Sequence, residues 1–220
     1  MVTFEIQCYE NDYQHVLKED KLKETIKNCN YDFAKRVVII NKVINRDKVS
    51  KLADDLVRIR VIDDYYFVED HIKEALKYFD ILKSSFNGGY CYSRSQLVGL
   101  FLCDTEYILH FTADSCIEKE NISNWIEEAI KLMESNEKYI CANPYWGDNS
   151  DGARQESIYE LNDWFVGYGF SDNCYLIPTR VFKRKIYNEH NPASERYPSY
   201  AGEPFEKRVD SYMRNHGLLR

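Results

Sequence analysis

Long apolar runs are missing from this chain of 220 residues: no segment approaches the roughly 20 apolar residues that a membrane-spanning helix needs. Its opening, MVTFEIQCYEND, has no basic stretch followed by an apolar one, so no secretory leader is expected and the chain reads as cytoplasmic. Paired cysteines are missing too. Cys8, Cys29, Cys91, Cys103, Cys116, Cys141 and Cys174 are odd in number, scattered and nowhere at CxxC spacing, which excludes a disulfide framework and a zinc ribbon. Proline and glycine are scarce, 5 and 9, and no tract rich in them divides the chain, so one domain over residues 1–220 is expected. Basic charge is also short: 29 Lys and Arg against 36 Asp and Glu give a net charge of −7. That balance argues against a nucleic-acid partner, because such binding needs clustered cations.

What the chain does have, from its start to about residue 142, is an alternation of short apolar runs with amphipathic helical patterns. This is the pattern of a mostly parallel sheet covered by helices. Strands are expected at Val2–Cys8, Arg36–Val43, Val57–Ile62, Glu106–Thr112 and Tyr139–Ala142. Helices are expected at Lys21–Asn28, Lys48–Leu56, Val68–Leu82 and Ser93–Cys103, and from a cap at Asn121 or Ser123 to Met133. The run RVVIINKV is β-branched and almost wholly apolar, as a strand buried on both faces should be. Beyond residue 143 the texture becomes polar. Trp164–Tyr168 and Asn173–Ile177 read as a pair of strands, and Arg180–Tyr187 and Phe205–Asn215 read as helices.

Ligands of open α/β sheets lie beyond the carboxyl ends of the strands. The polar residues there are Gln7, Tyr9 and Glu10 after the first strand, Asn41 after the second, and Thr112 and Asp114 after the central one. A carboxylate just past a buried strand is well placed to hold a divalent cation against a diphosphate, since magnesium and manganese take oxygen ligands completed by substrate phosphates. Asp114 is the candidate ligand, and a turn or cap carboxylate is the bland alternative.

The stretch Ser93-Arg94-Ser95-Gln96-Leu97, followed by Tyr107–Asp114 (YILHFTAD), resembles the GT-A glycosyltransferases, in which a helix bearing Arg or Asn precedes a strand ending in an acidic DxD motif. Phe4–Asn11 is similar to that family's first strand and donor loop. Gly167–Phe170 and Asn173–Arg180 resemble the segment after the metal site, and Gly202–Glu206 (GEPFE) resembles the acceptor-side acidic motif. The motif departs from the pattern at one position, where Thr112 stands in place of the first acid. The resemblance implies an α/β single-domain GT-A fold with a nucleotide-sugar-binding half, 1–115, and an acceptor-side half, 116–220. It implies an inverting, family-two-like transfer from a nucleoside-diphosphate sugar, UDP-sugar foremost, to a carbohydrate or other hydroxyl acceptor.

In that frame Asp114, with Mn2+ or Mg2+, binds the diphosphate, and Thr112 and Ala113 lie by the ribose or a metal-bound water. Gln7, Tyr9, Glu10 and Asn41 surround the base, and Arg94 meets the base or diphosphate. His216 is a second metal ligand, and Glu203 is the base, ahead of Asp172, Asp148 and Asp151. Tyr145, Trp146, Trp164, Tyr168 and Tyr175 offer an aromatic platform for a sugar acceptor, with core packing as their default role. Three rivals stand beside this reading, of which a helix-rich interaction protein is disfavoured because Val37–Ile40 and Tyr107–Phe111 are too short and too β-branched or aromatic for helices. A nucleotidyltransferase would open with a glycine-rich phosphate loop, which residues 7–15 lack, and a non-catalytic nucleotide-sugar-binding or interaction module is what the altered motif supports.

Overall fold

A computed structural model describes residues 1–117, 123–145, 147 and 150–220. The sequence-based proposals for Asn121, Trp146 and Asp148 lie outside the described residues. In chain order the elements are β1 (Val2–Tyr9), the single turn α1 (Tyr13–Val16), α2 (Glu19–Asn28), β2 (Lys35–Asn41), α3 (Arg46–Arg58), β3 (Asp64–Phe67), α4 (Val68–Phe79), α5 (Tyr90–Leu102) and β4 (Tyr107–Phe111). After them come α6 (Trp125–Ser135), α7 (Ser150–Glu156), the hairpin of β5 (Ser157–Leu161) and β6 (Trp164–Gly167), β7 (Cys174–Pro178), the turn α8 (Thr179–Phe182) and α9 (Phe205–Asn215).

The central sheet has the order β3-β2-β1-β4-β7, parallel except for β7, which runs against β4. This is the mixed α/β, mostly parallel arrangement that the alternating pattern predicts. Helices cover both faces because every strand of a parallel sheet needs a crossover. On one face Phe4, Ile6, Val38, Ile40, Leu109 and Phe111 pack against α2, α3 and α6 through residues such as Leu22, Ala53 and Ile126. On the other, Ile39, Ile108, Tyr175 and Ile177 meet α4, α5 and α9 through Ile72, Leu97, Phe205 and Val209. Each such large apolar side chain withdrawn from water contributes about 1.5–3 kcal/mol.

Four expectations change. The strand expected at Val57–Ile62 is the end of α3 and the turn after it, and the third strand is Asp64–Phe67, paired with β2 alone. The two late strands do not pair with each other: β6 joins β5, whereas β7 joins β4. Tyr139–Ala142 makes only two isolated bridges, to Leu219 and Leu176. Helix 180–187 shrinks to the turn α8.

The order of strands reverses between β1 and β4. β2 and β3 lie to one side of β1 and β4 lies to the other, so the loops leaving β1 and β4 diverge and open a crevice at their carboxyl ends. The candidate site is in that crevice.

Candidate active site

The loop after β4 is tied down by hydroxyls. Thr112 Oγ1 donates to Asp114 Oδ1 at 2.7 Å, Ser115 Oγ lies 2.6 Å from Thr112 Oγ1 and donates to the Asn173 carbonyl at 3.0 Å, and Thr112 N donates to the same carbonyl at 2.8 Å. Thr112 and Ser115 are buried while Asp114 is exposed, so the arrangement fixes one carboxylate facing solvent, held through its Oδ1. Besides Asp114, the Thr112 hydroxyl also reaches the Asn173 carbonyl at 3.2 Å.

The other wall is the exit of β1. Tyr9 stands opposite Asn41 in the β1–β2 register, and its ring is exposed. The Tyr9 N–H donates to Asp12 Oδ1 at 2.7 Å. Burial pushes the Asp12 carboxyl up, the Tyr9 bond opposes that, and nearby Asp114 pushes it further up while Lys21 holds it down. The charges of Asp12 and Asp114 thus act on one another. Lys21, from the first turn of α2, donates to the Ala113 carbonyl at 3.3 Å and to His15 Nε2.

Asn41 and Arg94 are locked together. Arg94 Nε donates to Asn41 Oδ1 at 2.6 Å, and its Nη2 donates to Glu69 Oε1 at 2.7 Å, an oxygen that also accepts from Lys42 N at 3.1 Å. Arg94 thus braces the end of β2, and Asn41 keeps its amide N–H groups as donors. Gln7 shares the face of β1 with Tyr9 and is half-buried. Glu10 is spent on the loop after β2, where its Oε2 accepts from Ile44 N at 2.7 Å.

Past β7's start the carboxyls crowd. Burial is the chief cause that pushes Asp172 up; His110 opposes it and Asp114 adds to it. Glu206, in the first turn of α9, is pushed up to about 8 by burial and by the charge of Asp172, against a hydrogen bond from the Asp172 backbone. Glu206 and Asp172 thus each favour the protonated form, and the charge of Asp114 adds to that on Asp172. Glu203 is engaged elsewhere, its Oε1 accepting from buried Lys207 at 2.9 Å, with Glu195 on the same ammonium at 3.0 Å. Its backbone is fixed by the N–H of Glu203 on the Phe86 carbonyl and by Gly202 at φ +65°, where a Cβ would lie 2.2 Å from the Asn87 carbonyl oxygen.

His216 is not brought to Asp114. It pairs with Glu189 at 2.9 Å at the far end of α9, about 15 Å along the helix from Glu206. Of the aromatic candidates, Tyr175 is core, stacked on His110 with ring centroids 4.6 Å apart. Trp164 helps line an apolar groove of about 30 Å³ with Met133, Tyr139 and Val166, and Tyr145 is exposed. Asp151 is exposed on α7.

No family model matches the chain, and no curated protein matches it. Its named structural neighbours are glycosyltransferases. One is glucosyl-3-phosphoglycerate synthase from Mycobacterium tuberculosis in complex with Mg2+ and uridine diphosphate, at 8% identity and a TM-score of 0.45. The likeness covers 82% of this chain, which spans 57% of that one. Another is mouse xyloside xylosyltransferase 1 in its apo form, at 11% identity and a TM-score of 0.47, covering 99% of this chain and 82% of that one. At these values the likeness is loose, and the site stands on its own geometry.

Asp12, His15 and Lys21 are crevice residues that the sequence pattern passes over, and Glu206 lies within its acidic motif, where Glu203 is the expected base. The signal for the first three is their place in the stretch leaving the first strand, where charged side chains alternate with aromatics.

Proposed function

We propose that this chain is a glycosyltransferase that moves a sugar from a nucleoside-diphosphate sugar, UDP-sugar foremost, to a hydroxyl acceptor, with residues 1–220 acting as one catalytic domain. The observation that carries the reading is the exposed Asp114 carboxylate, oriented by Thr112 in the crevice where the strand order reverses. The donor set fits a hard cation that takes few protein ligands. Among the described residues no three His, Cys, Asp or Glu side chains converge on a metal-sized space, so Asp114 would hold Mn2+ or Mg2+ mainly with the donor's phosphates. When bound, that ion supplies charge to the departing diphosphate.

The remaining roles belong to the chain itself. Tyr9 presents an exposed ring on which a base can stack, and Asn41, held by Arg94, presents amide donors to a base edge. Glu206, with Asp172, takes the place proposed for Glu203 as acceptor of the hydroxyl proton, because Glu203 is neutralised by Lys207 whereas the Asp172–Glu206 pair borders Asp114. Proton acceptance needs the ionised carboxylate, so the rate is expected to rise through about pH 8 and to level only above it.

Thr112 in place of the first acid of the motif favours a second reading, a nucleotide-sugar-binding module without turnover. Release of nucleoside diphosphate from a panel of UDP- and GDP-sugars separates the two. Mn2+-dependent release that falls by about 10²-fold or more in Asp114→Asn supports the enzyme. Binding without release supports the module, and neither binding nor release defeats both.

A further inference from the structure

The crevice carries a cation, Lys21, seated against His15, that the roles given to Asp114 and Glu206 leave unused. Position 112 offers a hydroxyl where a second carboxylate would stand, and that hydroxyl donates to Asp114, so the loop after β4 brings one anionic ligand to a metal. On the facing wall the same loop meets positive charge. The turn α1 and the start of α2 set His15 and Lys21 side by side, and the Lys21 ammonium reaches the carbonyl of Ala113, next to Asp114 itself.

The pair is arranged so that Lys21 keeps its charge. An ammonium has three N–H donors and no acceptor, so the His15 nitrogen facing it accepts, and His15 is the neutral partner. The charge of Lys21 is the main cause holding His15 below its ordinary range, with its slight burial and Lys18 acting in the same direction. Asp12 and Asp114 are the anions nearby. An incoming diphosphate needs cations where Asp114 alone supplies none, and either present partner of Lys21 can be exchanged for a phosphate oxygen, which an ammonium binds as a point charge.

We infer that Lys21, seated by His15, is a ligand of the donor's diphosphate and supplies there part of the positive charge that a complete acidic motif would recruit as metal. The inference rests on the reading that this crevice binds a nucleoside-diphosphate sugar, and it adds that binding persists in part without divalent cation.

Calorimetric titration of UDP and of uridine into the wild type, Lys21→Gln, Lys21→Arg and Asp114→Asn, each with Mn2+ and with EDTA, tests it. The wild type is expected to bind UDP in EDTA as well as in Mn2+. Lys21→Gln should lose about tenfold or more in UDP affinity under both conditions while binding uridine like the wild type, and Lys21→Arg should stay within a few-fold. Asp114→Asn should remove the gain given by Mn2+ and leave the EDTA affinity standing. A change that merely disturbed the fold would weaken uridine and UDP together, and that result overturns the role of Lys21. So does Lys21→Gln binding UDP like the wild type, or wild-type binding that vanishes in EDTA. If UDP binds the wild type under no condition, the nucleotide reading of the crevice itself falls.

Discussion

One face of the central sheet presents Phe4, Ile6, Leu109 and Phe111 to its helices, whereas the other carries Glu5 and His110 in the middle of the same two strands. Both faces are dry. Glu5 and His110 are register partners on β1 and β4, fully buried, with His110 Nδ1 2.6 Å from Glu5 Oε1, and His110 stacks on Tyr175 of β7. The helix above has given way to them: a Cβ on Gly99 would lie 1.9 Å from Glu5 Oε2. Apolar packing on the first face stabilises through area and tolerates rearrangement, while a buried hydrogen-bonded polar pair gains little net stability but holds its partners to one geometry. The face with the polar row is also the one on which α9 packs, carrying Glu206. His110 is, moreover, the group that opposes the rise of the Asp172 pKa. Both faces thus stabilise the sheet by apolar packing, and only one of them also carries a buried polar pair.

The largest effects should come from breaking each face in turn. His110→Leu removes the hydrogen-bond partner of the buried Glu5 carboxyl and should cost about 3–5 kcal/mol in denaturant unfolding. Adding Glu5→Leu should recover part of that loss, because the double variant leaves no unpartnered carboxyl. Phe4→Ala on the apolar face should cost a similar 3–5 kcal/mol, and adding Phe111→Ala, whose ring centroid lies 5.5 Å away, should deepen the loss with no recovery. Equal, unrecovered losses on both faces would erase the distinction.

A smaller effect sharpens the comparison through pH. Glu206 has its carboxyl raised from 4.5 to about 8 in the folded protein. Between those values the native state keeps a proton that the unfolded chain has released, so stability falls as pH rises from about 4.5 to about 8 and is flat above. Glu206→Gln should flatten that slope in melting temperatures taken from pH 5 to 9. It should also remove the rise of activity over the alkaline part of the same range. If the wild type gains stability over the window, the crowding of Asp172 and Glu206 is not as described.

Much of the fold could be read from residue pattern. β2 was legible because Val37–Ile40 are buried on both faces, which leaves no polar alternation to confuse with a helix. β3 was not, because it is a polar edge strand, DYYF, paired on one side only, while the apolar residues just before it close the end of α3. Asp114 was visible as a polar residue ending an apolar strand. Glu206 was hidden, since its unusual proton affinity comes from Asp172, which the fold brings to it from a different loop, and its neighbour Glu203 carries the same side chain in the same motif. Lys21 and Asp12 were hidden for a related reason: a charged residue after a strand is ordinary until the topology shows that the strand sits at the reversal of order.

The most direct test of the crevice is a backbone amide chemical-shift titration with UDP and Mg2+, the diamagnetic ion. The shifts should gather at residues 9–15, 41–44, 112–115 and 172–173, where the loops leaving β1, β2 and β4 meet the start of β7. Shifts gathered instead around Met133, Tyr139 and Trp164, in the apolar groove beside the β5–β6 hairpin, or no shifts at all, would contradict the account.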